Sequence, residues 1–335
     1  MFQFLPGTLR GCILVSLYFL NTVFWFSLIV PGGLLKLVVP VTRWRDMWSR
    51  VLKWMAARWV GINSFNTRMI NQTQWDVQGL DQLDNKHWYL VMSNHQSWTD
   101  ILVLQTVFHK RIPFLKFFLK KELIWVPFLG ICWWALDFPF MKRYSKALLK
   151  AKPHLAGKDL ETTKAACEKF RQNPVSIMNF VEGTRFTREK HARQESPHAN
   201  LLRPRAGGVA FVLSAMGEQL DSIVNVTIAY PNGRKSFWDF MCGRVGLVRV
   251  HVETIPVTEE VVGDYFTNEE FRENFQEWLN RLWDDKQERM HGMLHRFWGE
   301  SDSFTLPGRA PLPLPNLPDP EAIVGIESRR KVSQQ

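Results

Sequence analysis

Between Gly11 and Val30 the chain carries no charged residue, and nowhere does it contain a Cys-x-x-Cys pair, a Gly-x-Ser-x-Gly pentapeptide or an internal repeat. Each absence excludes something. Cys12, Cys132, Cys167 and Cys242 are too scattered for a zinc site or a disulfide framework, and those past the first segment read as small core residues of a reducing compartment. Without Gly-x-Ser-x-Gly there is no nucleophile elbow, which sets aside the commonest hydrolase design. None of the compact RNA- or DNA-reading signatures occurs, so the excess of 42 Lys and Arg over 32 Asp and Glu is not assigned to nucleic acid.

What is present points to a membrane. The 335 residues include 15 Trp and 24 Phe, and indole rings concentrate where protein meets a bilayer interface. A helix over Gly11–Val30 is long enough to cross a hydrocarbon core of roughly 30 Å. The apolar run exceeds that of a signal peptide, and no small-residue cleavage site follows it, so an uncleaved anchor is expected. Pro31-Gly32-Gly33 either ends this helix or bends it into a hairpin. Arg43, Arg45, Arg50, Lys53 and Arg58 follow against a single Asp46, which by the positive-inside rule puts this flank and the region beyond it in the cytoplasm. Trp44, Trp48, Val51, Met55 and Trp59 recur at helical spacing opposite Arg50 and Lys53. Such a helix suits the headgroup boundary of an anionic bilayer, and an ordinary core-packing helix fits the same pattern.

Beyond this point strands and helices alternate. Trp88–Met92 reads as a short apolar strand leading into Ser93-Asn94-His95, with a helix beginning near Asp100. A charged helix over Lys158–Gln172 is stopped by Asn173-Pro174, and Val175–Val181 and Ile223–Tyr230 read as buried strands. Asn268–Leu294 is strongly helical, with Phe271, Phe275, Trp278, Leu279 and Leu282 on one stripe. The alternation implies an α/β sandwich, and the prolines beyond Ser301 mark an unstructured tail.

Two clusters carry chemistry. His95 and Asp100 suit a general base and the carboxylate that fixes its tautomer. Five residues apart on one helix they diverge by roughly 140°, so they meet only if His95 ends the strand and a turn brings the chain back to Asp100. The alternative is a loop histidine and a first-turn acid favoured by the helix dipole. The second cluster, Phe180-Val181-Glu182-Gly183-Thr184-Arg185, follows a buried strand, where α/β sheets gather ligands. Gly183 permits close backbone approach, Arg185 grips a phosphate through paired hydrogen bonds, and Glu182 orients that arginine or an acceptor hydroxyl. A surface Glu–Arg pair on a tight turn is the bland reading. Lys120-Lys121-Glu122-Leu123 and Lys142-Arg143 each put a cationic end on an apolar run, as anion site or interfacial anchor.

In this order the blocks resemble those of the glycerolipid acyltransferases, the lysophosphatidate acyltransferase family. Asn94-His95 to Asp100 is similar to its NHx4D block, and Lys120, Glu122, Leu123, Pro127 and Gly130 to K-x-E-L…P…G. Arg143 matches the arginine ending the second block, Phe180 with Glu182–Arg185 resembles FPEGTR, and Ile223–Pro231 falls where the fourth block is expected. The wording of these blocks is most similar to the bacterial YihG-type acyltransferases of the lysocardiolipin-acyltransferase-like branch. Val181 stands where FPEGTR has proline, which is expected to loosen the loop, and the fourth block lacks the common Val-Pro pair.

The resemblance implies a glycerolipid-acyltransferase-like α/β sandwich behind an N-terminal membrane anchor. Residues 1–40 would be the anchor (one span or a hairpin), 41–70 a basic interfacial helix, 71–300 the catalytic domain and 301–335 a disordered tail. It implies transfer of an acyl group from acyl-CoA or acyl-carrier protein to a lysophospholipid, 1-acylglycerol-3-phosphate first, with lysocardiolipin or another lysophospholipid as the alternative acceptor. His95 and Asp100 would be catalytic, and Lys120, Arg143, Glu182, Gly183, Thr184 and Arg185 would bind substrate, with no metal or other cofactor. The expected setting is the bacterial inner membrane with the catalytic domain facing the cytoplasm, its partners being membrane phospholipid and the acyl donor. A lipid hydrolase and a non-catalytic membrane-binding protein are the rivals from other classes.

Overall fold

Helix α1 (Gly7–Val38) runs straight through Pro31-Gly32-Gly33, and the chain turns only at Val39–Val41 before entering α2 (Thr42–Ile70). These details come from a computed structural model, which describes residues 4–126, 129–141, 158–171, 173–258 and 260–295. Glycine explains why the helix does not break where the sequence suggests. A Cβ on Gly33 would stand 2.5 Å from the Cβ of Ala135, so this turn of α1 is pressed against α4 (Leu129–Ala135) and held there. The helices α1 and α2 form an antiparallel hairpin. Tyr18 Oη pairs with Thr67 Oγ1 at 2.8 Å, Asn21 donates to Asn63 Oδ1 at 2.8 Å, and Trp59 Nε1 donates to Thr22 Oγ1 at 3.1 Å.

α1 is the one helix among the described residues long and apolar enough to cross a membrane. Its outer face exposes Phe19, Leu20, Val23, Phe24 and Leu28, and the hairpin tip exposes Leu34, Leu35, Leu37, Val38 and Val41. The amphipathic segment expected around Trp44–Trp59 is observed as part of the much longer α2.

The remaining chain builds a sheet. In chain order its strands are β1 (Gln74–Gln78), β2 (Tyr89–Ser93), β3 (Leu115–Phe117), β6 (Ser176–Phe180), β7 (Ser222–Ala229) and β8 (Leu247–Pro256). A separate pair is made by β4 (Leu119–Lys120) and β5 (Phe140–Met141). The spatial order of the large sheet is β1-β8-β7-β2-β6-β3, with β7, β2, β6 and β3 mutually parallel and β8 antiparallel to β7. Such strands are buried on both faces, which is why they read as continuous apolar runs rather than alternations.

Two cores result. One packs the sheet against α7 (Ala206–Met216) and α9 (Glu269–His295) around Leu90, Ile177, Leu213 and Trp283. The other packs it against α3 (Thr99–Phe108) around Val91, Leu104, Val226 and Val250. Three shorter helices are α5 (Lys158–Cys167), α6 (Arg188–Gln194) and α8 (Phe237–Met241). The charged helix expected over Lys158–Gln172 ends as α-helix at Cys167 and tightens into a 3₁₀ turn, Glu168–Phe170. The proline-rich tail lies outside the described residues.

Candidate active site

Three neighbouring parallel strands, β7, β2 and β6, deliver their carboxyl ends to one edge of the sheet. Register aligns Ser93 with Phe180 on one side and with Val226 on the other. The residues that follow these strands therefore meet: Asn94 and His95 after β2, Glu182 after β6, Tyr230 after β7. This is the edge where open α/β sheets place ligands.

Asn94 extends the ladder by one rung with its side chain. Its amide donates to the Ile228 carbonyl and accepts from the Ile228 N–H, both at 2.9 Å. The main chain is then free to leave the sheet, and His95 turns toward Asp100 in the first turn of α3. His95 Nδ1 lies 2.9 Å from Asp100 Oδ2. The same oxygen accepts the backbone N–H groups of Gln96 at 2.6 Å and Ser97 at 2.8 Å, while Tyr230 Oη donates to Oδ1 at 2.6 Å. Asp100 is fully buried, and four donors hold its carboxylate in one orientation. With Nδ1–H given to Asp100, the other nitrogen of His95, Nε2, is the proton acceptor. The imidazole also lies flat on Phe180, ring centroids 3.9 Å apart and planes 12° from parallel, so ring rotation is blocked from that face.

The second cluster lies beside it. Gly183 has φ of +67° and closes a tight turn by donating to the Phe180 carbonyl at 2.9 Å. Val181 does not loosen this loop, contrary to expectation. Its N–H, which a proline would lack, donates to the Ser93 carbonyl at 3.1 Å and prolongs the β2–β6 pairing. Arg185 stacks on the exposed Trp98, its guanidinium carbon 4.4 Å from the ring centre. Thr184 Oγ1 accepts from Lys190 Nζ at 2.7 Å.

Glu182 departs from the surface Glu–Arg reading. It is fully buried, the backbone N–H groups of His95 and Leu202 face its carboxyl, and among the described residues no ion pair joins it to Arg185. Burial pushes its pKa up to about 8, a rise that the nearby backbones of His95 and Leu202 offset only in part.

Lys120 sits exposed in β4, and among the described residues nothing joins it to His95 or to the loop after β6. Arg143 and Pro127 lie outside the described residues. Phe114 lines a cavity of about 290 Å³ under α2, and Trp134 lines another of about 570 Å³.

Sequence reasoning passed over three residues. Tyr230 is one, though a lone hydroxyl ending an apolar strand was visible. Arg234 is another; its guanidinium packs 3.6 Å from the centre of the Phe186 ring and its Nε donates to Gln96 Oε1, beside His95. The third, Lys286, occupies an apolar position of the α9 stripe and is fully buried, donating to the Val226 carbonyl at 2.7 Å and to Thr227 Oγ1 at 3.3 Å. Burial lowers its pKa to about 7. Among the described residues no group of three or more His, Cys, Asp or Glu side chains is arranged to hold a metal ion.

Residues 74–231 match the family model described as Acyltransferase. A 1-acyl-sn-glycerol-3-phosphate acyltransferase of Arabidopsis thaliana is 31% identical over 173 residues, covering 48% of this chain and 42% of that protein. The enzyme of the same description from Pseudomonas aeruginosa is 29% identical over 160 residues, covering 48% of this chain and 55% of its own. This chain thus spans about half the length of these relatives. The crystal structure of the 1-acyl-sn-glycerophosphate acyltransferase PlsC from Thermotoga maritima superposes with a TM-score of 0.50 at 16% identity, over 87% of this chain and 96% of that one, and so shares the fold.

Proposed function

We propose, from the premise that residues 74–231 form a domain of the acyltransferase family, that the chain moves a fatty acyl group from a thioester to the free hydroxyl of a lysophospholipid. The first-choice acceptor is 1-acylglycerol-3-phosphate, which gives phosphatidate; acyl-CoA or acyl-carrier protein is the donor. The observation that carries the reading is the His95 Nδ1–Asp100 Oδ2 contact of 2.9 Å within a fully bonded carboxylate.

In this mechanism the acceptor phosphate sits against Arg185, with Arg234 at the same rim and Lys120 and Arg143 as further candidates. His95 Nε2 takes the proton of the glycerol hydroxyl as its oxygen attacks the thioester carbon. Asp100 stabilises the imidazolium that forms. When the tetrahedral intermediate collapses, the C–S bond breaks and the proton passes to the departing thiolate. General-base help contributes about 10²–10⁴-fold, and positioning of the two substrates supplies much of the remainder. Glu182 and Gly183 shape the loop beneath the acceptor, and Thr184 fixes Lys190 beside it.

The hairpin of α1 and α2 is the membrane element of this reading, with the apolar outer face of α1 in lipid. The cations Arg43, Arg45, Arg50, Lys53 and Arg58 favour an inner membrane with the catalytic domain toward the cytoplasm. Residues 71–300 are the catalytic domain.

Purified protein given labelled acyl-CoA and a panel of lysophospholipids tests the proposal. Phosphatidate formation from 1-acylglycerol-3-phosphate, lost in His95→Ala, supports it. Preferential acylation of a lyso form of cardiolipin moves the acceptor within the same chemistry. Release of free fatty acid alone makes the protein a hydrolase, and no turnover with any acceptor leaves a membrane-binding role.

A further inference from the structure

The 570 Å³ cavity stands apart from the catalytic edge. Lys116, which lines it, pairs in register with Ile177, three rungs before Phe180, whose level is that of Ser93. At about 3.3 Å per residue this puts the cavity roughly 10 Å back along the strands, on the side of their amino ends. Its wall is assembled from three separate parts of the chain: the hairpin tip, the segment around α4 and β3, and the turn before β6.

Among the described residues five cations line it: Lys36, Arg45, Lys53, Lys116 and Arg171. Three carboxylates, Asp46, Asp137 and Glu168, oppose them. Two of those carboxylates are already engaged. Asp137 pairs with Lys36 and accepts from Ser49 Oγ at 3.2 Å, and Glu168 pairs with Arg171 at 2.8 Å. Lys116 is buried, held over the Phe170 ring at 4.7 Å and donating to the Asp137 carbonyl at 3.3 Å. A concave chamber with an excess of one sign focuses its potential inward and selects anions. The same chamber adjoins the hairpin tip, where Leu34, Leu35, Leu37, Val38 and Val41 are exposed. An anion that fits both features has a phosphate at one end and a hydrocarbon body at the other.

We propose that this cavity is a second anion site, which takes the phosphate of a net-anionic bilayer phospholipid while its acyl chains lie along the apolar tip. Such a lipid bridges the hairpin and the catalytic domain, since the cations that hold it come from both. The proposal rests on the membrane reading of the hairpin and not on the chemistry at His95, and its test involves no turnover.

The first measurement uses the full-length wild-type protein. Lysine acetylation of Lys36 and Lys53 is followed by mass spectrometry in detergent micelles containing phosphatidylglycerol, phosphatidylcholine, or inorganic phosphate without lipid. Phosphatidylglycerol is expected to slow labelling of both lysines by about tenfold relative to phosphatidylcholine, a difference that reflects site occupancy. Equal protection by the two lipids overturns the proposal, and protection by inorganic phosphate as strong as by phosphatidylglycerol overturns its lipid assignment. The second compares Arg45→Gln/Lys53→Gln with Arg43→Gln/Arg50→Gln, which removes the same charge from exposed positions of the same helix that do not line the cavity. Phosphatidylglycerol retained through size-exclusion chromatography should fall in the first pair only. Equal loss in both would mean ordinary surface attraction. If the first pair misfolds, the wild-type labelling decides alone.

Discussion

Tyr230 Oη donates a 2.6 Å hydrogen bond to Asp100 Oδ1, the carboxylate oxygen that His95 leaves unused. The hydroxyl comes from the end of β7, 130 residues downstream, and locks Asp100 from the side opposite the histidine. Burial and the adjacent Asp100 charge keep its own proton on, with the pKa raised well above the usual tyrosine value. Tyr230 is therefore a permanent donor.

Removing that donor tests its positioning role. Hydrogen bonds to charged groups are worth about 1.5–3 kcal/mol, so Tyr230→Phe should lower kcat at least tenfold while the KM for the acceptor changes little. Steady-state kinetics with varied lysophospholipid separates the two constants. A rise in KM at constant kcat would place the hydroxyl on the substrate instead.

His95→Ala should reduce acyl transfer below detection, and Asp100→Asn should reduce it by about 10²–10⁴-fold through loss of the fixed tautomer. Both variants should keep the wild-type circular dichroism spectrum. Near-normal turnover in folded His95→Ala would remove the general base from the mechanism.

Arg185 and Trp98 act as a stacked pair. Arg185→Lys keeps the charge but loses the planar fork, and should raise the KM for 1-acylglycerol-3-phosphate about tenfold with a smaller effect on kcat. An exposed cation–π contact is worth about 0.5–1 kcal/mol, so Trp98→Ala should raise that KM only a few-fold. An unchanged KM in Arg185→Lys would argue against phosphate contact there.

Glu182 links stability to pH. Its pKa rises on folding from an ordinary 4.5 to about 8, because burial disfavours the carboxylate. The folded state thus holds this proton more tightly than the unfolded state. The stability it carries is fully present below pH 4.5 and is lost as pH rises through about 8. Relative to Glu182→Gln, the wild-type protein should lose on the order of a few kcal/mol across that window. Denaturant titrations of both proteins at several pH values measure the difference; parallel curves would show that Glu182 is ionised throughout.

Asn94→Ala leaves the N–H and carbonyl of Ile228 without their partner at a fully buried position. Each unsatisfied group costs about 1–3 kcal/mol, so stability should drop by about 2–6 kcal/mol. Calorimetry reads this directly. Because Asn94 also releases the chain toward His95, kcat should fall even where the variant remains folded.

Three of the six strands of the large sheet, the helix that starts near Asp100, the possible meeting of His95 with Asp100 and the apolar first helix were legible in the sequence, because each rests on local periodicity or short spacing. His95 and Asp100 lie five residues apart, so one turn decides whether they meet. The buried strands announced themselves as apolar runs. Pro31-Gly32-Gly33 misled because the glycines serve contact with α4 and α2 rather than a bend, and that depends on neighbours no local pattern reveals. Val181 misled for a similar reason: the partner of its N–H is on another strand.

Only the tertiary structure decided which strands lie side by side, and everything else at the site depends on that order. Once β7 and β6 flank β2, Tyr230 reaches Asp100 and Phe180 covers His95, while Glu182 is sealed from water. The same packing buries Lys286 in a stripe that otherwise reads as apolar, and gathers cations from three parts of the chain around one cavity. Periodicity fixes which face of an element is buried, but it carries no information about what that face will be buried against. His95 and Asp100 were therefore written locally, while the two groups that lock them in place had to be found by folding.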